Sequence, residues 1–184
     1  MIVLQDTRQK LGAHYAKNLA WLEMGVCVWS AKLPVGDYIL ARESALLPPG
    51  EGSVDFRAMF GEFSINPRVS VDTKANLTEL CGNLTTDHER FRAECELAQS
   101  LGIQLVVLTE NTQYITRLDQ FERWTESAKA FKQRHGRHRY EGARLAKVMR
   151  TMHERYGVLW AFCAPEDAAL RVLEILEHWE GGRD

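Results

Sequence analysis

The sequence predicts an α/β protein, a three-layer sandwich in which a central mixed β-sheet is flanked by helices. Three observations carry this. Short β-prone runs alternate with amphipathic helical runs along the chain, as in layered α/β domains. One run, Ile103–Thr109, is apolar in the manner of a parallel strand buried on both faces. The 184 residues, 45 % of them hydrophobic, are enough for one domain with a substantial core.

The elements follow in order. Met1–Gln5 reads as a strand rather than a signal peptide, because no basic segment precedes a long apolar stretch. A helix is expected from after Gln9 to about Met24, with Leu11, Tyr15, Leu19 and Leu22 at helical spacing and Gly25 closing it. Val26–Lys32 and Asp37–Arg42 read as strands around a Pro34–Gly36 turn. An irregular insertion covers about residues 44–68, with an apolar patch at Phe56, Met59, Phe60 and Phe63 that suits either a strand or a short lid. Val69–Lys74 is a strand, and Ala75–Leu84 a helical turn with Leu77 and Leu80 inward. Thr86-x-x-Glu89 resembles a capping box that opens a helix to Leu101, with Phe91, Cys95 and Ala98 inward and Gly102 closing it.

After the Ile103–Thr109 strand, Asn111–Trp124 is a connector with its own helix. Residues 128–141 read as a basic, mobile loop. Gly142–Tyr156 is a helix with Leu145, Val148, Met149 and Met152 inside. Val158–Cys163 is the last strand. Pro165-Glu166-Asp167 starts the last helix, with proline in its first turn and acids at its positive end. Ala168, Ala169, Val172, Leu173, Ile175, Leu176 and Trp179 form its apolar side. The whole chain, 1–184, reads as a single domain.

Composition excludes some functions. No run of roughly 18 apolar residues occurs, so no membrane-spanning helix is expected. Cys27, Cys81, Cys95 and Cys163 are scattered without a C-x-x-C, which fits reduced thiols in the cytoplasm rather than a zinc site or disulfide framework. The net charge of −2 gives no whole-molecule attraction to nucleic acid. Its distribution does: from Ala128 to Arg150 eight basic side chains face one acid, Glu141, with His135 and His138 in addition.

The chemistry centres on Val69–Lys74. Strand side chains alternate faces, so Ser70, Asp72 and Lys74 share one face, with a carboxylate beside an ammonium at the strand's end. The ordinary alternative is an exposed strand-end ion pair contributing only ~0–1 kcal/mol. The surroundings argue for more. Asp37 follows a Gly turn upstream, and a helix begins at Asp87 downstream. An acid, an Asp-x-Lys strand and a helix form a coherent set for metal-dependent phosphodiester cleavage.

Asp6-Thr7-Arg8-Gln9, Gly36-Asp37-Tyr38, Val71-Asp72-Thr73-Lys74 and the Asp87–Ala98 helix together resemble the XPF-type nuclease domain of the PD-(D/E)XK superfamily, in its stand-alone prophage or bacterial version. The resemblance implies a restriction-endonuclease-like sandwich. It matches Asp37 to the Gly-Asp metal ligand, Asp72 to the second acidic ligand, Lys74 to the motif lysine and Asp6 to the acid of the first motif. Thr73 stands where the motif has arginine, Gln9 where the first motif has glutamate, and Thr78 where an acid follows the lysine, with Glu79 the nearest substitute.

The implied catalytic set is Asp37, Asp72, Lys74 and Asp6. The implied metal ligands for Mg2+ or Mn2+ are Asp37, Asp72 and the Thr73 backbone carbonyl. Arg8, Arg90, Lys132, Arg134, Arg137 and Arg139 are the expected nucleic-acid contacts, and Phe131 and Tyr140 are candidates for stacking on a base. His88 and Arg92 read as surface residues, and Glu94 as the i, i+4 partner of Arg90. The expected activity is a metal-dependent DNA endonuclease, structure-specific, in phage or bacterial recombination and repair. The other open class is a catalytically silent DNA-binding or dimerisation partner. A homodimer through the last strand and helix is a further implication of the resemblance.

Overall fold

The computed structural model describes residues 1–8, 12, 14–41, 46–47, 54–55, 64–65, 67–135 and 138–181. Strand β1 (Ile2–Asp6) is central to one half of a six-stranded sheet. It pairs in parallel with β2 (Cys27–Ala31) and antiparallel with β3 (Tyr38–Ala41). Three two-residue strands, β4 (Leu46–Leu47), β5 (Val54–Asp55) and β6 (Ser64–Ile65), form a separate antiparallel sheet within the expected insertion. The apolar patch Phe56, Met59, Phe60 and Phe63 lies outside the described residues. The main sheet continues through β7 (Val69–Lys74), β8 (Gln104–Glu110) and β9 (Leu159–Cys163), in the order β2-β1-β3-β7-β8-β9. β3 and β7 are antiparallel, whereas β7, β8 and β9 are parallel, so the sheet is mixed, as expected.

Helices cover both faces. On one face lie α1 (Tyr15–Glu23) and α7 (Ala168–Gly181), entered through a 3-10 turn at Pro165–Asp167. Val71, Val106 and Leu108 of the sheet meet Val172, Leu173 and Leu176 of α7 there. On the other face lie α2 (Leu77–Asn83), α3 (His88–Ser100), α4 (Leu118–Glu122) and α6 (Gly142–Tyr156). Phe91, Cys95 and Ala98 of α3 and Leu145, Met149 and Met152 of α6 close over Leu105 and Val107. The register of β7 against β8 explains the split: Asp72 pairs with Val107 and Val71 with Val106, so alternate residues serve opposite layers.

Two local expectations are corrected. Of the expected stripe, Leu11 lies outside the described residues, and Tyr15, Leu19 and Leu22 of α1 face solvent, with Tyr15 at 71 % and Leu22 at 72 % exposed. The buried side is Trp21 and Lys17. Trp21 donates Nε1 to Ala169 O at 2.9 Å, Lys17 pairs with Glu110, and neighbouring His14 bonds the Tyr38 hydroxyl. Distant partners therefore outweigh the helix's own apolar periodicity. The Thr86–Glu89 capping box does not form either. Asp87 is the N-cap residue, and Thr86 Oγ1 donates back to Gly82 O at 3.3 Å.

The expected basic loop contains a helix, α5 (Ala128–Arg134), capped by Ser127, whose side chain accepts from Ala130 N. A buried carboxylate explains the order. Glu126 is fully buried and accepts from Arg134 Nε at 2.9 Å and Nη2 at 2.8 Å, and from Tyr140 N at 3.1 Å. Its backbone oxygen accepts from Arg139. The Arg134 guanidinium also covers the Tyr140 ring at 3.9 Å.

The Arg134 hydrogen bonds hold the Glu126 carboxyl below the usual carboxylate range. Its stabilisation is complete above the unfolded pKa of about 4.3 and is lost as pH falls through the lower folded value. Glu126→Gln is expected to cost about 3 kcal/mol in denaturant unfolding at neutral pH. Its deficit against the wild type should shrink in acid.

Candidate active site

Asp37, Asp72 and Lys74 line one cleft of about 980 Å3 between the end of β7 and helices α2 and α3. Asp6, Arg8, Thr73, Glu79 and Arg90 line it as well. Two crossings of the backbone bring these groups together. Asp37 sits just before β3, donating its N–H to Val71 O at 2.8 Å and accepting from Asp6 N at 2.9 Å. The turn before it needs Gly36, whose φ of +68° suits glycine. Ser70 fixes the same turn, donating Oγ to Val35 O at 2.7 Å.

The carboxylates are held differently. Asp37 Oδ2 accepts from Thr73 N at 2.8 Å and from Thr73 Oγ1 at 2.6 Å. Thr73 thus orients Asp37 from the position where the resembling motif has arginine. Asp72 accepts from Lys74 Nζ at 2.8 Å through Oδ1. Its Oδ2 lies 2.7 Å from the same ammonium, yet it is buried without a well-directed hydrogen bond. This is no exposed ion pair, since Asp72 is 3 % and Lys74 6 % exposed.

Burial drives the proton affinities. It raises Asp37, against the two Thr73 hydrogen bonds that lower it. It pushes Asp72 up to about 6, with Lys74 opposing and Asp37 adding to the rise. For Lys74, burial disfavours the ammonium, but Asp72 and Asp37 outweigh it and the net shift is upward. Two buried like charges and one opposite charge leave the site short of positive charge.

That deficit and two carboxylates lining one cleft suit a hard divalent cation, which binds oxygen and retains waters. Among the described residues, no group of three or more His, Cys, Asp or Glu stands ready to hold a metal. The remaining ligands would have to be backbone carbonyl, water and phosphate oxygens.

The other expected residues divide. Asp6 is buried at the cleft wall, but its Oδ1 accepts from Leu33 N at 3.0 Å, and Arg8 Nε donates to its Oδ2 at 2.8 Å. Arg8 also donates to Leu33 O at 2.7 Å. Arg90 lines the cleft and is exposed. Lys132 is exposed on α5 and is not part of the cleft wall. Arg134 and Arg139 serve the Glu126 cluster, and Arg137 lies outside the described residues. Arg134 occupies the Tyr140 ring and lies 5.8 Å from that of Phe131, the two rings read as base-stacking candidates. Arg92 pairs with Glu96 at 3.6 Å on the surface. Glu79 lies in the first turn of α2, accepting from Ala75 N at 2.8 Å and donating its own N–H to the capping Asn76 side chain at 2.9 Å.

Two cleft residues escape the sequence reading. Glu94 accepts from Gly36 N at 3.0 Å rather than pairing along its helix with Arg90, and burial followed by the Asp72 charge raises its pKa. Its place between inward-facing Phe91 and Cys95 is the available signal. Asn83 is 4 % exposed and lines the cleft, and its Nδ2 has no hydrogen-bond partner among the described residues. Nothing in its sequence context marks it.

The fold is that of solved XPF structures. XPF from Aeropyrum pernix in complex with DNA superposes with a TM-score of 0.57 at 14 % identity over 99 % of this chain. XPF from Aeropyrum pernix alone gives 0.58 at 15 % identity over 100 % of this chain. The chain spans 66 % of the length of each. No protein-family model and no curated protein matches the sequence. Among the described residues, no helix is long and apolar enough to cross a membrane.

The Gly36 turn offers a direct check on how Asp37 is positioned. A Cβ there would run into Ser70 Oγ and lie 3.2 Å from Val71 O. Gly36→Ala should cost about 2–5 kcal/mol in denaturant unfolding, from left-handed strain plus overpacking. The same change in a Ser70→Ala background should cost less.

Proposed function

We propose that this chain is a metal-dependent DNA endonuclease of the XPF type, hydrolysing phosphodiester bonds with Asp37, Asp72 and Lys74. The observation that carries the reading is the convergence of these three side chains in one cleft although 35 positions separate the two acids. Asp37 and Asp72 would hold Mg2+ or Mn2+, with the Thr73 backbone carbonyl as a further ligand. The bound ion would neutralise the phosphate oxygens and supply a deprotonated water. Lys74, braced by Asp72, would orient that water and stabilise developing negative charge. Thr73 keeps the Asp37 carboxylate turned to the cleft. Asp6 takes a supporting place, since Leu33 and Arg8 already occupy its oxygens.

The protein would be of the stand-alone prophage or bacterial version, structure-specific, and active in recombination or repair within the cytoplasm, where its four free cysteines stay reduced. A homodimer would have to use what α7 leaves uncovered, because Leu173 and Leu176 are in this domain's core while Trp179 is 37 % exposed. A silent DNA-binding partner is the second reading. It draws on the absence, among the described residues, of a three-membered metal-ligand group.

Cleavage of labelled duplex, flap and junction DNA with magnesium, manganese or EDTA separates the two. Metal-dependent products are expected, and Lys74→Ala should lower their rate about 10^2–10^3-fold with DNA binding retained. Equal cleavage by that variant would overturn the assignment. A second check concerns metal affinity. Asp72 must lose a proton to bind a cation, and its carboxyl titrates at about 6. Manganese affinity, followed by electron paramagnetic resonance, should fall about tenfold per pH unit or more steeply as pH drops below about 6, because burial raises Asp37 as well. An unchanged affinity at pH 5 would contradict the ligand role of Asp72.

A further inference from the structure

A second groove, of about 670 Å3, meets the catalytic cleft at Gly82, which lines both. It runs between the α2–α3 turn and the start of α6, bordered by Thr78, Arg134, Arg139, Glu141 and Arg144. The two spaces differ in charge. Six acids and three cations line the cleft, whereas three arginines and one acid line the groove, which stays net positive after Glu126 offsets Arg134. Without a cation, the cleft repels a polyanion and the groove attracts it.

Arg134 and Arg139 are committed to Glu126, and they hold this wall in place. Arg144 differs. It is exposed on the first turn of α6 and has no hydrogen-bond or ion-pair partner among the described residues. A guanidinium left free in a basic groove beside a phosphodiesterase-like cleft suits a backbone phosphate.

We infer that this groove carries the DNA strand on one side of the scissile phosphate, with Arg144 as its phosphate contact, and that metal-independent affinity resides there rather than in the cleft. This rests on the nuclease reading for its substrate, but its test does not need cleavage. Binding of a fluorescent duplex with a single-stranded overhang is followed by anisotropy in EDTA over a range of salt. The wild type is compared with Arg144→Glu, Arg144→Gln, Arg171→Glu and Asp72→Asn. Arg171 lies on α7 in the opposite layer, so its reversal controls for net charge.

Arg144→Glu should raise Kd about tenfold or more, and Arg144→Gln should lower the slope of log K against log salt by about one. Arg171→Glu should change little, and Asp72→Asn should bind as tightly as the wild type or more tightly. Thermal melting establishes that each variant is folded, and the milder glutamine variant stands in if the reversal is not. Wild-type affinity in both Arg144 variants, equal weakening by Arg171→Glu, or loss of binding in Asp72→Asn would overturn the groove assignment. With cleavage intact, that failure leaves the nuclease reading standing. A wild type that binds no DNA defeats both.

Discussion

The structure depends on burying two carboxylates and one ammonium at the end of a single strand. Asp72 and Lys74 share a face of β7, and Asp37 reaches them from the turn before β3. Removing charges from water is costly, and the compensation is specific. Thr73 bonds Asp37 twice, Lys74 spans Asp72, and Glu94 secures the Gly36 turn. The compensation is incomplete, since burial leaves both carboxyls at raised proton affinity.

The surrounding fold holds this arrangement at a change in sheet polarity. β3 meets β7 antiparallel through the Tyr38–Val71 pair, while β7 and β8 run parallel over six residue pairs. The short contact brings the Asp37 turn across the end of β7, and the long one keeps Asp72 and Lys74 rigid. Each face of β7 is then sealed separately, by α7 with Val71 and by α2 and α3 with the Asp72 side. The cleft is the gap that remains between the β7 end and those two helices. Beyond α2, the Glu126–Arg134 cluster orders a highly charged segment into a wall beside it.

Much of this was legible because a strand's period of two leaves little freedom. Val69–Lys74 can present Asp72 and Lys74 together in only one way, and an apolar run such as Ile103–Thr109 has to be buried. The legible parts are therefore the strand faces, the inner stripes of α3 and α6, and the core of α7. The rest was set by distant partners. The Tyr15, Leu19 and Leu22 stripe is a sound amphipathic face, yet α1 turns the other way because Trp21, Lys17 and His14 find Ala169, Glu110 and Tyr38 far along the chain. Composition made 128–141 a loop, since no local pattern shows that Arg134 meets a buried Glu126. Glu94 was hidden for a similar reason. A carboxylate four residues after an arginine reads as a surface pair until a backbone N–H from Gly36 competes for it.

The cation proposed for the Asp37, Asp72 and Lys74 cleft can be sought directly. Crystals soaked in manganese, measured at its absorption edge, provide the test. An anomalous peak within inner-sphere distance of both Asp37 and Asp72, with Lys74 beside it, is the result this account predicts. A well-ordered crystal with no peak between those carboxylates, or with manganese bound only elsewhere, would contradict it.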